Sequence, residues 1–294
     1  MIPICTISII NENINSIPED TNFQFTKINY KISSNDKCRM VFAKNQNIDN
    51  DITEKKLVIN FGGNGETMLG RLDDLSRISD ISSDIIFISY PKGATYSQEL
   101  VDGGVSAVLR AINAGYKPEN ITIAGHSLGG AVSALVLQEM KNHLNQEQKF
   151  ACYINHRSFK DLGAFVAALA GSSQDGWLRK AINGIAWAFR VQLDAESAIK
   201  SGLPVEKIVA YYDEQDSVIK PAASIGKAIE DSGLQPEIKT EVVRTNVVGY
   251  TNNPNGIFAH CALQARTLYG GEASISYQEH IITARTEIAA TNQI

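Results

Sequence analysis

The 294-residue chain lacks the features that would mark several protein classes. It has four cysteines, Cys5, Cys38, Cys152 and Cys261, none in a CxxC pair and none at a zinc-ligand spacing. That pattern argues against a structural metal site and predicts reduced thiols. A membrane-spanning helix needs roughly 20 mostly apolar residues. The nearest candidate, Gly163 to Gly171, is far shorter. No Lys or Arg precedes Lys27, so the charged region of a secretory signal peptide is missing. The expectation is a cytoplasmic protein, or one exported by a route that uses no such signal. Basic clusters are absent too: 27 Lys+Arg stand against 32 Asp+Glu, a net charge of -5, which argues against a nucleic-acid partner. There is no internal repeat.

What the chain does contain is apolar material. Hydrophobic residues make up 44% of it and charged residues 20%, enough for a large folded core. The Asn-rich stretch 1–54 carries short alternating runs, Thr6 to Ile9, Phe23 to Ile28 and Cys38 to Ala43, which predict a β-rich start joining a sheet. From Lys55 the pattern changes to short continuous apolar runs alternating with helical spacing. The runs are Leu57 to Phe61, Ile85 to Tyr90, Ile121 to Ala124, Ala151 to Ile154, Ile208 to Tyr212 and Ile238 to Val248. Helices are predicted over Glu66 to Ser79, Gln98 to Ala114, Leu128 to Leu144, Ser217 to Asp231 and Phe258 to Tyr269. Such alternation predicts the α/β class, a mostly parallel sheet with helices on both faces and its chemistry beyond the carboxyl ends of the strands. Between Phe159 and Pro204 no strand is signalled, so 160–204 reads as a helical cap. The core is then 55–159 and 205–294, the latter with a C-terminal tail.

One motif carries the chemistry. Gly125-His126-Ser127-Leu128-Gly129-Gly130 follows a predicted strand and opens a predicted helix. A serine thrust out on such a sharp turn has strained backbone, and side chains two positions either side would collide with the neighbouring strand and helix. The helix start behind it offers free N–H groups.

With Asn120 to Ala124 before it and Ala131 after it, this elbow resembles that of the α/β-hydrolase superfamily of serine hydrolases, in its lipase/esterase form. The loop Phe61-Gly62-Gly63-Asn64-Gly65-Glu66-Thr67-Met68 is similar to that of the membrane-associated and depalmitoylating ABHD branch. The segment Ile154 to Phe159 resembles a motif of the same branch; it has no firm chemical role, with Arg157 a candidate partner for an acid, Phe159 a candidate pocket residue and a purely structural part favoured over both. The resemblance implies a Ser-Asp-His order along the chain. Ser127 is then the nucleophile. The acid is Asp216 in the turn after the fifth run, with Asp213 as the fallback and Asp161 as a further candidate. Of five histidines, His260 stands where the family carries its base, and His280, in the tail, is second. The oxyanion donors implied are the N–H groups of Leu128 and Gly65, with Gly63 and Asn64 as alternatives to Gly65 and Asn64 shaping the turn.

The cap stretch Trp177 to Leu193 places Leu178, Ile182, Ile185 and Phe189 at helical spacing. It reads as a packed cap helix or as a lid whose apolar face meets an acyl chain or a membrane surface. Either way Trp177 and Phe189 are candidate substrate contacts. The expected activity is cleavage of a carboxylic ester or thioester with a hydrophobic acyl group, possible substrates including lipids. Acyl transfer by the same triad and an inactive binding module are the alternatives. No metal or organic cofactor is implied, and oligomeric state is left open.

Overall fold

The computed structural model describes residues 23–31, 37–63, 82–90, 96–171, 177–188, 192–216, 218–232, 238–247 and 281–288. Nine strands form one sheet: β1 (Phe23–Lys31), β2 (Lys37–Asn45), β3 (Leu57–Phe61), β4 (Asp84–Ser89), β5 (Ile121–His126), β6 (Cys152–His156), β7 (Lys207–Asp213), β8 (Lys239–Val247) and β9 (Ile281–Ile288). Their spatial order is β1-β2-β4-β3-β5-β6-β7-β8-β9. The six strands from β3 to β8 run parallel, whereas β1, β2 and β9 attach antiparallel at the edges. The expected N-terminal strands thus join the sheet, while Thr6 to Ile9 lies outside the described residues.

The parallel strands are buried along their length because both faces are covered. Leu57–Phe61 is buried at every residue, and Asp84–Ser89 at all but its last. Continuous Leu, Ile, Val and Phe suit that environment, each such side chain contributing about 1.5–3 kcal/mol on burial. Leu57, Ile59, Phe61, Ile121 and Ile123 share one core with helices α1 (Ser97–Asn113) and α2 (Leu128–Met140). The two helices approach closely at Gly104, where a Cβ would sit 2.5 Å from Val136 Cγ2 and 2.7 Å from Phe61 Cε1. α1 ends where expected, with Gly115 at φ +110°.

Beyond β6 come α3 (Leu162–Leu169), α4 (Trp177–Ala188) and α5 (Ala195–Lys200), and after β7 a short 3₁₀ turn precedes α6 (Ile225–Ser232). The expected cap over 160–204 is therefore not uniform. Leu193, Ala195, Ala198, Ile199 and Leu203 belong to the main core, and Lys141 Nζ donates to the Ser201 carbonyl at 2.5 Å. Apolar residues at three- and four-residue spacing pull α5 down beside α2, leaving α3 and α4 as the helical cover. The tail also differs from expectation. Ile281–Ile288, rich in β-branched residues, pairs along β8, with Ile281 opposite Val247. The helices expected at 66–79 and 258–269 lie outside the described residues. Among the described residues, no helix is long and apolar enough to cross a membrane.

A buried polar clamp closes the amino-terminal end of the sheet. Asp84 accepts the Tyr116 hydroxyl at 2.5 Å and the Asn45 N–H at 2.7 Å. Burial and the neighbouring carboxylate raise the Tyr116 hydroxyl well above the usual tyrosine range, so it stays a proton donor. Tyr116→Phe should lower stability by about 1–3 kcal/mol, since it strips a partner from a buried carboxylate. Urea denaturation checks this, and turnover should be unchanged because the clamp lies at the sheet end opposite Ser127.

Candidate active site

The sheet order reverses between β3 and β5. The chain steps from β3 to β4 on one side, and from β5 through β8 on the other. Beyond the carboxyl ends of such a pair lies the crevice where open α/β sheets bind ligands. Ser127 stands there, on the single-residue turn between β5 and α2. Its backbone is at φ 51°, ψ −120°, a strained conformation for a residue with a side chain. Its N–H donates to the His156 carbonyl at 3.0 Å, and its own carbonyl accepts the Gly130 N–H at 3.1 Å.

The flanking glycines are required by contact. A Cβ on Gly125 would lie 2.3 Å from the Gly129 carbonyl oxygen, and one on Gly129 only 2.0 Å from that of Phe61. A Cβ on Gly130 would meet Ser158 Cβ at 2.5 Å. The first turn of α2 is thus pressed onto the end of β3, where the loop bearing the second expected oxyanion donor begins. From the other side the Tyr90 hydroxyl donates to the Gly62 carbonyl at 2.9 Å. The turn is also tied to β6: Tyr153 donates to the Gly130 carbonyl at 2.6 Å and accepts from Asn155 Nδ2 at 2.6 Å. Burial pushes the Tyr153 hydroxyl up to about 12, outweighing the Asn155 and Ser133 hydrogen bonds, so it remains a donor at working pH. Leu128, the residue after the serine, starts α2, whose first N–H groups have no partner within the helix. Asn64 and Gly65 lie outside the described residues.

The acid candidates separate clearly. Asp216 is buried in the turn after β7, and its Oδ1 accepts the N–H groups of Val218 at 2.9 Å and Ile219 at 2.8 Å. These two bonds fix the plane of the carboxylate at the carboxyl end of the sheet. Asp213 is the last residue of β7 and is engaged below the turn: Oδ2 accepts from Arg157 Nη2 at 3.3 Å and Oδ1 from the Gln215 N–H at 2.8 Å. Asp161 caps α3, accepting the Ala164 N–H at 2.7 Å, and also accepts Asn183 Nδ2 at 3.0 Å and Arg179 Nη2. Both its oxygens fasten α4 to the stem of α3, and Arg179 reaches on to Glu196 Oε2 at 3.1 Å. The sequence reading saw no role in cap attachment for Asp161; an Asp directly before the apolar run Leu162 to Leu169 is the helix-cap signal that could have shown it.

His260 and His280, and with them the choice of base, lie outside the described residues, as does Phe189. Trp177 opens α4. His126 and His156 are buried with ring centroids 5.2 Å apart, and His156 lies 5.5 Å from Tyr211, so a row of rings crosses β5, β6 and β7 just below the serine.

The fold has counterparts among solved structures. A variant of the esterase E40 is 15% identical, with 74% of this chain matched to 74% of that one at a TM-score of 0.50. A variant of the esterase rPPE is 11% identical, with 75% matched to 72%, also at 0.50. Prolyl oligopeptidase B from Galerina marginata is 14% identical over 69% of this chain at a TM-score of 0.46, and the chain spans about 30% of its length. No curated protein matches the chain in sequence. The strand order and the elbow define an α/β-hydrolase fold. Residues 67–155, which include the whole elbow, match the family model of the class 3 lipases.

Gly129→Ala should cost more than about 3 kcal/mol or abolish soluble expression, because backbone on two elements must move. Gly184→Ala, in α4 with nothing within 4 Å of the added Cβ, should instead stabilise by about 0.5–1 kcal/mol. Thermal melts of the two variants check the contrast.

Proposed function

We propose that the protein hydrolyses a carboxylic ester or thioester with a hydrophobic acyl group through Ser127, His260 and Asp216. Ser127 Oγ attacks the carbonyl carbon while its proton passes to His260, which Asp216 orients. The oxyanion is held by the N–H groups of Leu128 and Gly65. Collapse expels the alcohol or thiol, protonated by His260. Water, deprotonated by the same histidine, then attacks the acyl-enzyme, and Ser127 is restored as the acid departs. The strained φ of Ser127, on a turn whose neighbouring glycines admit no Cβ, carries this reading.

The preference for an apolar acyl chain is supported by the cover. Phe159 stacks on Phe165 of α3 at 5.4 Å, and Leu178 and Ile182 of α4 are half-buried beside the same stem. Trp177 and Phe189 are the proposed acyl contacts, and the apolar cap is the part that would touch a lipid surface. The likeness to the ABHD branch, carried by the loop 61–68 and the segment 154–159, favours the same substrates.

A fluorophosphonate probe tests the reading. Wild type should label, and Ser127→Ala and His260→Ala should not. Loss in His280→Ala with retention in His260→Ala would transfer the base to the tail. Ester turnover should drop by roughly a thousandfold or more in Ser127→Ala, and on graded p-nitrophenyl esters kcat/KM should rise from acetate to octanoate. A folded wild type that neither labels nor turns over esters, with or without lipid vesicles, would refute the proposal.

A further inference from the structure

Among the described residues, two non-glycine residues have positive φ: Ser127 at 51° and Arg157 at 49°. Each is a strained conformation that persists only where its surroundings hold it. The two are adjacent in space. The Ser127 N–H donates to the His156 carbonyl, and one residue later the Arg157 N–H donates to the Tyr211 carbonyl at 2.9 Å. Its side chain reaches the same strand, with Nη2 at 3.3 Å from Asp213 Oδ2 and both side chains wholly buried. Asp213 then sets the acid turn, its Oδ1 accepting the Gln215 N–H and its carbonyl the Asp216 N–H at 3.3 Å.

From this chain of bonds we infer that Arg157 is a positioning residue, which fixes Asp216 relative to Ser127 by holding Asp213 beneath the acid turn. The inference rests on the assignment of Ser127 and Asp216 made above. A buried ion pair adds little net stability compared with apolar residues of similar size, because both charges lose their water. Its worth here is geometric. The strained backbone turns the guanidinium toward β7, where Nη2 holds Asp213 Oδ2 and leaves Oδ1 to the Gln215 N–H. The guanidinium also engages Asp213, the fallback acid of the same turn. Displacing a catalytic group by about 1 Å can cost a hundredfold in rate, so the effect should fall on kcat and leave substrate binding nearly alone.

The test compares the full-length wild type, Arg157→Lys and the double variant Arg157→Met/Asp213→Asn on p-nitrophenyl butyrate and the fluorophosphonate probe. The double variant removes both charges and strands neither. In this variant, folded by circular dichroism, kcat and the labelling rate should fall about tenfold to a hundredfold with KM within about threefold. Arg157→Lys, which keeps the charge and one donor, should recover part of that loss. A folded double variant with kcat within about twofold of wild type, or a loss confined to KM, would overturn the inference. Should the double variant not fold, Arg157→Lys decides: reduced kcat at constant KM supports positioning, and wild-type kcat overturns it. Ser127-dependent labelling of wild type together with unimpaired variants defeats only this inference; a wild type that neither labels nor turns over defeats the catalytic assignment as well.

Discussion

The site depends on one close approach of backbone to backbone. The start of α2 rests on the end of β3 with no room for a single carbon at Gly129, and little more at Gly125. Because the helix cannot be shifted outward without losing the packing of Val132 and Val136 in the core, the turn before it must be one residue long. That residue is Ser127, and its left-handed backbone is the consequence of the contact. The same contact brings Phe61 and Gly62, where β3 ends, against Gly129. Ser127 is therefore placed by main-chain packing, which is stiff, and not by side chains that could change rotamer.

Around this backbone contact the buried charges fall into two groups with different tasks. At the amino-terminal end Asp84, Tyr116 and Asn45 join β4 to β2 and to the segment after α1. They close the sheet where no chemistry is expected. At the carboxyl end Arg157 and Asp213 lie under the acid turn, and Asp161, Arg179, Asn183 and Glu196 bind the cover to the core. The desolvation cost of these groups is concentrated where the angle of one loop against another matters. Much of the rest of the interior is Ile, Val, Leu, Ala and Phe, which fix volume but not direction.

Periodicity made most of the sheet legible in the sequence. Five-residue apolar runs such as Leu57–Phe61 admit no amphipathic helix, and a Gly-x-Ser-x-Gly between strand and helix has few structural explanations. Less legible were features set by tertiary contact. Helical spacing over 195–200 cannot tell a cover from a core helix; the docking of Ala198 and Ile199 beside α2 decides that. Three acids, Asp161, Asp213 and Asp216, look alike as letters, and only their hydrogen bonds separate a helix cap, an ion-pair partner and a carboxylate oriented by the turn. Arg157 follows a strand as many surface arginines do, and its burial and positive φ have no signature in local composition.

The cover and the acid turn are one hydrogen-bonded unit, which bears on how the cover can act. The Lys160 N–H donates to the Ala223 carbonyl at 2.8 Å, the Glu196 N–H to the Lys160 carbonyl at 2.9 Å, and the Ile225 N–H to the Ser158 carbonyl at 2.9 Å. Lys220, four residues after Asp216, donates from Nζ to the Ala168 carbonyl at the end of α3 at 2.8 Å. Each bond is worth little alone. Together they join the stem of the cover to the segment that follows Asp216, so a tilt of α3 would have to break or carry these bonds. A cover free to swing as a rigid lid would need its hinge outside this unit. The stem at Asp161 is therefore a fixed base, tied to the segment that follows Asp216 through a few short bonds.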